Sequence, residues 1–151
     1  MEDVDNFTND SAMMIAFERS LESSRPDALF NDPLAASLAG SKGEALSSNF
    51  EGMAKMFEFP EWPDFHKQWV AVRTRFIDDQ ITEHATAGGI SQLVNLGAGM
   101  DTRPHRLPVY KSFGNGAYEV DMEVVQKGKA KIFSELISTP VAHCKVRTHA
   151  C

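Results

Sequence analysis

The residue types that most suggest chemistry lie in a glycine-rich segment, residues 95–103, which reads NLGAGMDTR. It continues from residues 90–96, a short apolar stretch with β-branched residues that predicts a buried strand. Because Gly97 and Gly99 carry no Cβ, a turn built on them lets the backbone approach a ligand closely. The third glycine of the dinucleotide-binding fingerprint is absent, so the segment alone fits a structural turn about as well as a nucleotide site.

A carboxylate follows the next predicted strand, residues 117–120. This residue, Asp121, lies 22 positions after Gly99. In an open parallel sheet that spacing places it beside the glycine turn, where it can accept hydrogen bonds from both hydroxyls of a ribose. The alternative is that Asp121 caps the helix predicted to follow, and the two roles are compatible. The turn and the acid together favour a ligand that carries adenosine.

A cation is the third candidate. Arg73 lies four residues after Trp69 and three before Phe76, on the more apolar face of a predicted long helix. Arginine seldom faces a core without an anion to pair with. That anion is either a structural Asp or Glu, or the carboxylate of a ligand, which a planar guanidinium binds through two parallel hydrogen bonds.

The elements that must position these residues follow an α/β order behind a helical N-terminal region. Helical spacing predicts helices at residues 14–21, 33–40, 64–87 and 122–136, and a third strand is predicted within residues 141–150. Residues 41–63 are predicted as a loosely structured connection that packs through its Met and Phe residues. Strand, turn, strand, helix and strand in this order predict an α/β fold with a parallel sheet. We therefore divide the chain into an N-terminal helical cap with its connection, residues 1–63, and an α/β domain, residues 64–151.

Composition and charge exclude several classes of protein. The chain has 151 residues, 24% of them charged and 42% hydrophobic, as in an ordinary globular domain. Its net charge is −6 and it has no basic block, so nucleic acid is not an expected partner. No apolar run approaches the roughly 20 residues of a membrane-spanning helix, so no membrane is expected either. The acidic N-terminus and the presence of only two cysteines predict a cytoplasmic protein.

A metal site and a catalytic side chain are both left unassigned. His143, Cys144, His149 and Cys151 lie within nine residues, but their spacing matches no standard zinc motif and a strand would alternate their faces. We therefore predict no metal. No nucleophile elbow or Walker loop is present, and no residue is assigned a catalytic role.

Several segments resemble the leucine carboxyl methyltransferase family. They are residues 95–102 (NLGAGMDT) followed by Arg106 and Leu107, residues 118–121 (YEVD), and residues 72–76 (VRTRF). Residues 24–35 (SRPDALFNDPLA) resemble its bacterial-type S-adenosylmethionine-dependent O-methyltransferase branch. The resemblance runs from about residue 20 to residue 151. It implies a Rossmann-like class I methyltransferase sheet that binds S-adenosylmethionine, and methyl transfer to a carboxylate or other oxygen of a small molecule or protein.

The resemblance also implies a role for each candidate residue. Arg73 would hold the methionine carboxylate of the cofactor. Gly97, Ala98 and Gly99 would line the cofactor turn, and Asp121 would hold the ribose. Arg25 would add a second cation.

The chain differs from the family in length. Family members are longer, and the Asp-Leu pair expected beside the adenine does not follow here. We therefore expect a sheet truncated after about three strands and a chain of low activity in isolation. Two alternatives stay open: a fragment of a nicotinamide-dependent oxidoreductase, and a non-catalytic binding module. The missing third glycine and the Arg73 helix count against the oxidoreductase.

Overall fold

A computed structural model describes residues 2–136 and 141–151 of the chain. Helices and strands alternate in its second half, behind three long helices. In chain order the elements are α1 (Glu2–Ser23), α2 (Ala35–Met56), α3 (Trp62–Ala87), β1 (Gln92–Leu96), α4 (Arg103–Arg106), a 3₁₀ helix (Pro108–Ser112), β2 (Gly116–Asp121), α5 (Glu123–Glu135) and β3 (Val146–Ala150).

The predicted loose connection at residues 41–63 is wrong, because α2 continues through most of it to Met56. The helix changes direction at Gly40, which has a positive φ of 55° and was predicted as the helix end. Gly43 then lets α1 approach, since a Cβ there would lie 2.5 Å from the Met13 carbonyl oxygen. The small residues of this segment therefore allow close helix packing. Its large apolar residues do not pack as expected: Met53, Met56, Phe57 and Phe59 are exposed.

The long helix is confirmed as α3, with Pro63 in its first turn and Gly88 at its end. Its orientation differs from the prediction. The buried face carries small residues and one carboxylate, Asp78, whereas Trp69, Val72 and Phe76 are exposed. Burial of Asp78 accounts for the difference. This carboxylate pairs with two partly buried arginines, and so it takes a place that an apolar pattern assigns to large side chains.

The predicted α/β fold with a parallel sheet of three strands behind N-terminal helices is confirmed. The strand order is β1-β2-β3, and both pairs are parallel. Leu96 pairs with Val120, so β1 and β2 end side by side. The prediction that β1 is buried is wrong: Val94 is 52% and Leu96 75% exposed, because β1 lies at the edge of the described sheet. The central strand β2 is the buried one.

Two apolar clusters hold these elements together. One contains Ala16, Leu34, Leu38 and Ala39 from the N-terminal region, together with Met100 from the glycine-rich segment. The other joins α3 to the start of β2 through Ala85, Tyr110, Phe113 and Ala117. Met100 therefore anchors the turn after β1 in the N-terminal helices. None of the helices in the described part of the chain is long and apolar enough to cross a membrane.

Candidate functional site

The glycine turn begins directly at the end of β1. Gly97 and Gly99 have positive φ angles of 65° and 50°, a conformation that side chains with a Cβ adopt only with strain. The amides of Gly97 and Ala98 both donate to the Val120 carbonyl oxygen, at 2.8 and 3.2 Å. A Cβ on Gly97 would meet no atom within 4 Å, so the space in front of this residue is open. The turn is thus tied to β2 and open toward a ligand.

Asp121 lies directly beside this turn. Its Oδ2 accepts a hydrogen bond from the Gly99 amide at 2.6 Å, and its Oδ1 accepts one from the Met122 amide at 2.7 Å. The residue that caps α5 is Met122, so Asp121 lies one position before the cap and does not fill the capping role considered from the sequence. An ionised carboxylate has about four acceptor positions, so two acceptor positions of Asp121 are left for a ligand.

A cavity of about 480 Å³ lies between α1, α3 and the end of β1. Its volume is within the usual range for small-molecule sites, roughly 300–1,000 Å³. All five residues predicted to bind the cofactor line it: Arg73, Gly97, Ala98, Gly99 and Asp121. Arg25 does not; it lies on the surface and pairs with Asp27 and Glu22. The structure thus brings together the predicted site without the second cation.

Four arginines line this cavity, and they differ in their partners. Arg19, Arg103 and Arg106 are each paired with a buried carboxylate. Arg73 is exposed, and its guanidinium lies over the Trp69 ring, 5.1 Å from the centroid. Among the described side chains, those of residues 7–136 and 141–151, no carboxylate lies within 4 Å of Arg73. The prediction that Arg73 faces the core is therefore wrong, and its guanidinium is available to an anionic ligand.

A network of partly buried arginines and buried carboxylates supports the turn, and no pattern in the sequence had indicated it. Asp78 accepts hydrogen bonds from Arg103 Nε at 2.7 Å and from Arg106 Nη1 at 2.6 Å. Asp101 accepts from Asn95 at 2.6 Å and from Arg103 Nη1 at 3.0 Å. Asp78 lies 25 and 28 residues before its partners, so no local spacing reveals the pairing.

The electrostatics of Asp101 follow from this network. Burial disfavours its ionised form, but the charge of Arg103 and the hydrogen bond from the Arg103 amide outweigh burial and lower the pKa of Asp101. For Arg103, burial is likewise outweighed by Asp101 and Asp78, which raises the pKa of the guanidinium. Both groups are therefore charged over the physiological range, and the turn rests on a permanent ion pair.

A second, smaller cavity of about 220 Å³ also borders the turn. Ala98, Gly99 and Asp121 line it as well, so the turn separates two concave surfaces. Its floor contains Glu119, whose Oε2 accepts a hydrogen bond from Lys129 at 2.7 Å. Burial raises the pKa of Glu119 despite this cation.

The C-terminal His and Cys residues are not gathered into a group of candidate metal ligands. In the part of the chain that the structure describes, no group of three His, Cys, Asp or Glu side chains is placed to hold a metal ion. Cys144 is half-buried, which raises the pKa of its thiol, and Cys151 is exposed.

A glycine turn after one parallel strand and an acid after its neighbour are the arrangement found in nucleotide-binding α/β proteins. Comparison with known families narrows this class. The family model of leucine carboxyl methyltransferases matches residues 12–151, and the chain belongs to this family.

Curated relatives support the assignment. A Streptomyces coelicolor protein is 38% identical over 144 residues, covering 89% of this chain and 45% of the relative. Proteins of Mycobacterium avium and Mycobacterium ulcerans are 36% and 37% identical, covering 87% and 86% of this chain and 43% of each relative. All three carry the name "Putative S-adenosyl-L-methionine-dependent methyltransferase". The chain spans about half the length of the curated relatives it matches.

Proposed function

We propose that this protein binds S-adenosylmethionine and takes part in methyl transfer to an oxygen acceptor, either a carboxylate or another oxygen of a small molecule or protein. The observation that carries the proposal is the cavity in which Arg73, the glycine turn and Asp121 meet. Membership of the leucine carboxyl methyltransferase family and the names of the relatives support it.

The residues present fit the chemical groups of this cofactor. Arg73 offers a guanidinium that forms no ion pair with any described carboxylate and can therefore bind the carboxylate of a ligand. The open space in front of Gly97 admits a ligand against the backbone. Asp121 retains acceptor capacity for ribose hydroxyls while it holds the turn.

When bound, the cofactor supplies a methyl group on a sulfonium centre. Arg73 would fix one end of the ligand and Asp121 the other. Ile15, Ile77 and Leu93 contribute apolar surface to the wall of the same cavity. Orientation of this kind can supply much of the rate acceleration of a displacement reaction. An acceptor carboxylate is already ionised at neutral pH, so its methylation needs no general base.

Calorimetry with S-adenosylhomocysteine, the demethylated form of the cofactor, tests the proposal. We expect binding by the wild-type chain, loss of binding in Arg73→Ala, and unchanged binding in Arg75→Ala. Arg75 is the matched control because it lies two residues further along α3 and does not line the cavity; it pairs with Asp79 and donates to the Leu29 carbonyl oxygen. Absence of binding, or tighter binding of NAD than of S-adenosylhomocysteine, would contradict the proposal and favour the non-catalytic or the oxidoreductase alternative.

The acceptor class needs a separate measurement. Incubation with labelled S-adenosylmethionine and candidate acceptors gives a methylated product, and mild base then distinguishes two outcomes. A carboxyl methyl ester releases labelled methanol, whereas a methyl ether is stable. Base-stable label would contradict a carboxylate acceptor.

A further inference from the structure

A buried side chain connects the N-terminal helix to the glycine turn. Arg19 of α1 donates from Nη2 to the Met100 carbonyl oxygen at 2.6 Å and from Nε to Asp32 Oδ2 at 2.9 Å. The same Asp32 oxygen accepts the Thr102 hydroxyl at 2.7 Å. Arg19 therefore contacts the backbone of the turn directly, and Asp32 contacts it through Thr102.

Both ends of this connection are fixed. The Asp32 side chain is fully buried, its Oδ1 accepts from the Leu34 amide, and its own amide donates to the Ser23 hydroxyl. Thr102 is 1% exposed. Asp32 is thus held at a set position between α1 and α2, from which it reaches the turn.

We propose that Arg19, Asp32 and Thr102 form a positioning bridge that holds residues 97–102 in the conformation that binds the cofactor. The inference rests on the proposed function, and it makes the N-terminal helices a working part of the cofactor site. A turn with two glycines at positive φ has a large conformational entropy when it is free, so it needs restraints from outside to keep one shape.

The bridge uses the chemistry of arginine specifically. One planar guanidinium satisfies the Met100 carbonyl and the Asp32 carboxylate from two different nitrogens. A lysine carries the charge but offers a single nitrogen, and a methionine offers no donor. Removing the guanidinium takes the donor from the Met100 carbonyl oxygen and the cation from Asp32, which keeps only the Thr102 hydroxyl on the same oxygen, and this weakens the restraint on the turn.

Binding and hydrogen exchange together test the bridge in the full chain. Arg19→Met removes both contacts, and Thr102→Val removes one hydroxyl with almost no change of shape. Phe113→Leu is the stability control, because Phe113 lies in the other apolar cluster, before the start of β2 and away from the turn at its end. Each variant is measured at a temperature well below its melting midpoint. The readouts are S-adenosylhomocysteine affinity and exchange of the Asp101 amide, which donates to the Ala98 carbonyl within the turn.

We expect Arg19→Met to weaken binding by about tenfold or more and Thr102→Val by about threefold, while Phe113→Leu binds as the wild type does. The Asp101 amide should exchange faster in both turn variants and not in the control. Compared with Arg19→Met, the Arg19→Lys variant should regain more of the wild-type melting temperature than of the wild-type affinity. If Arg19→Met does not fold, Thr102→Val carries the test.

Equal affinities and equal exchange in the turn variants and the control would overturn the bridge. Failure of the wild-type chain to bind would instead overturn the proposed function. In that case hydrogen exchange still decides whether the bridge restrains the turn, because this readout needs no ligand.

Discussion

Asp121 and Gly99 are joined by a hydrogen bond of 2.6 Å from the Gly99 amide to the Asp121 carboxylate, across the ends of two neighbouring strands. A residue that follows β2 thereby shapes the turn that follows β1. The same carboxylate faces the cavity, so it serves the turn and the proposed ligand together.

Replacement of Asp121 should therefore weaken ligand binding. We expect Asp121→Ala to cost about 1–3 kcal/mol of binding free energy for S-adenosylhomocysteine, because partners in both the turn and the ribose lose an acceptor. Asp121→Asn keeps one acceptor oxygen and should lose less. Calorimetry on both variants measures the difference. Unchanged affinity in a folded Asp121→Ala variant would restrict Asp121 to a structural role.

The next prediction tests whether the planar shape of the Arg73 guanidinium matters for binding in addition to its charge. Arg73→Lys keeps the positive charge but lacks the planar fork, so binding of S-adenosylhomocysteine should weaken by about 1 kcal/mol or more. Methylthioadenosine lacks the amino-acid carboxylate and should bind both forms equally. Calorimetry with the two ligands gives the comparison. Equal losses for both ligands would mean that Arg73 acts on the structure and not on the carboxylate.

Local signals in the sequence were sufficient for the parts of the site that short-range geometry determines. Gly88 marked the end of α3 because glycine suits a helix end, whereas Pro63, predicted as the last residue of the connection, lies in the first turn of the helix. Gly97 and Gly99 marked the turn because glycine is the residue that most readily adopts the positive φ angles found there. Asp121 could be placed beside that turn because parallel strands end at the same edge of a sheet.

Tertiary pairing determined the rest. The apolar pattern of α3 predicted that Trp69 faces the core, but Asp78 occupies the buried face because it pairs with Arg103 and Arg106. Those partners are distant in sequence, and nothing in the local pattern of α3 indicates them. Gly40 and Gly43 likewise suggested a loop, although they serve a kink and a close helix contact. The assignment of residues 1–63 and 64–151 to separate units stays a prediction.

The lowered pKa of Asp101 predicts an acid-sensitive turn. A carboxylate whose folded-state pKa lies below its unfolded value stabilises the fold above that unfolded value, 3.8, and the stabilisation is lost as the pH falls through the folded-state pKa. Asp101→Asn should therefore unfold more easily than the wild type at pH 6, by about 1–3 kcal/mol, with a difference that shrinks below pH 3.8. Urea unfolding of both proteins from pH 3 to pH 7 tests this, and a difference independent of pH would contradict it.

The contribution of Glu119 to stability should have the opposite pH dependence to that of Asp101. Burial raises its folded-state pKa above 4.5 even though Lys129 lies 2.7 Å away. Its contribution is therefore complete below pH 4.5 and declines as the pH rises through the raised pKa. The free energy of unfolding of the wild type relative to Glu119→Gln should fall over that range. A relative stability that rises with pH would show that the ion pair outweighs burial.

The exposed edge of β1 leads to the last prediction. Within the described residues β1 pairs only with β2, so its other edge presents unpaired amides and carbonyls beside Val94 and Leu96, which are exposed. Open apolar edges of this kind promote association between chains. We expect the 151-residue chain to self-associate as its concentration rises, as measured by sedimentation velocity.

Leu96→Lys should reduce this association because a charge on an edge strand opposes pairing. Phe59→Lys is the control, since Phe59 is comparably exposed but belongs to no strand. A wild-type chain that stays monomeric at every concentration, or an equal effect of the two substitutions, would exclude the β1 edge as the cause.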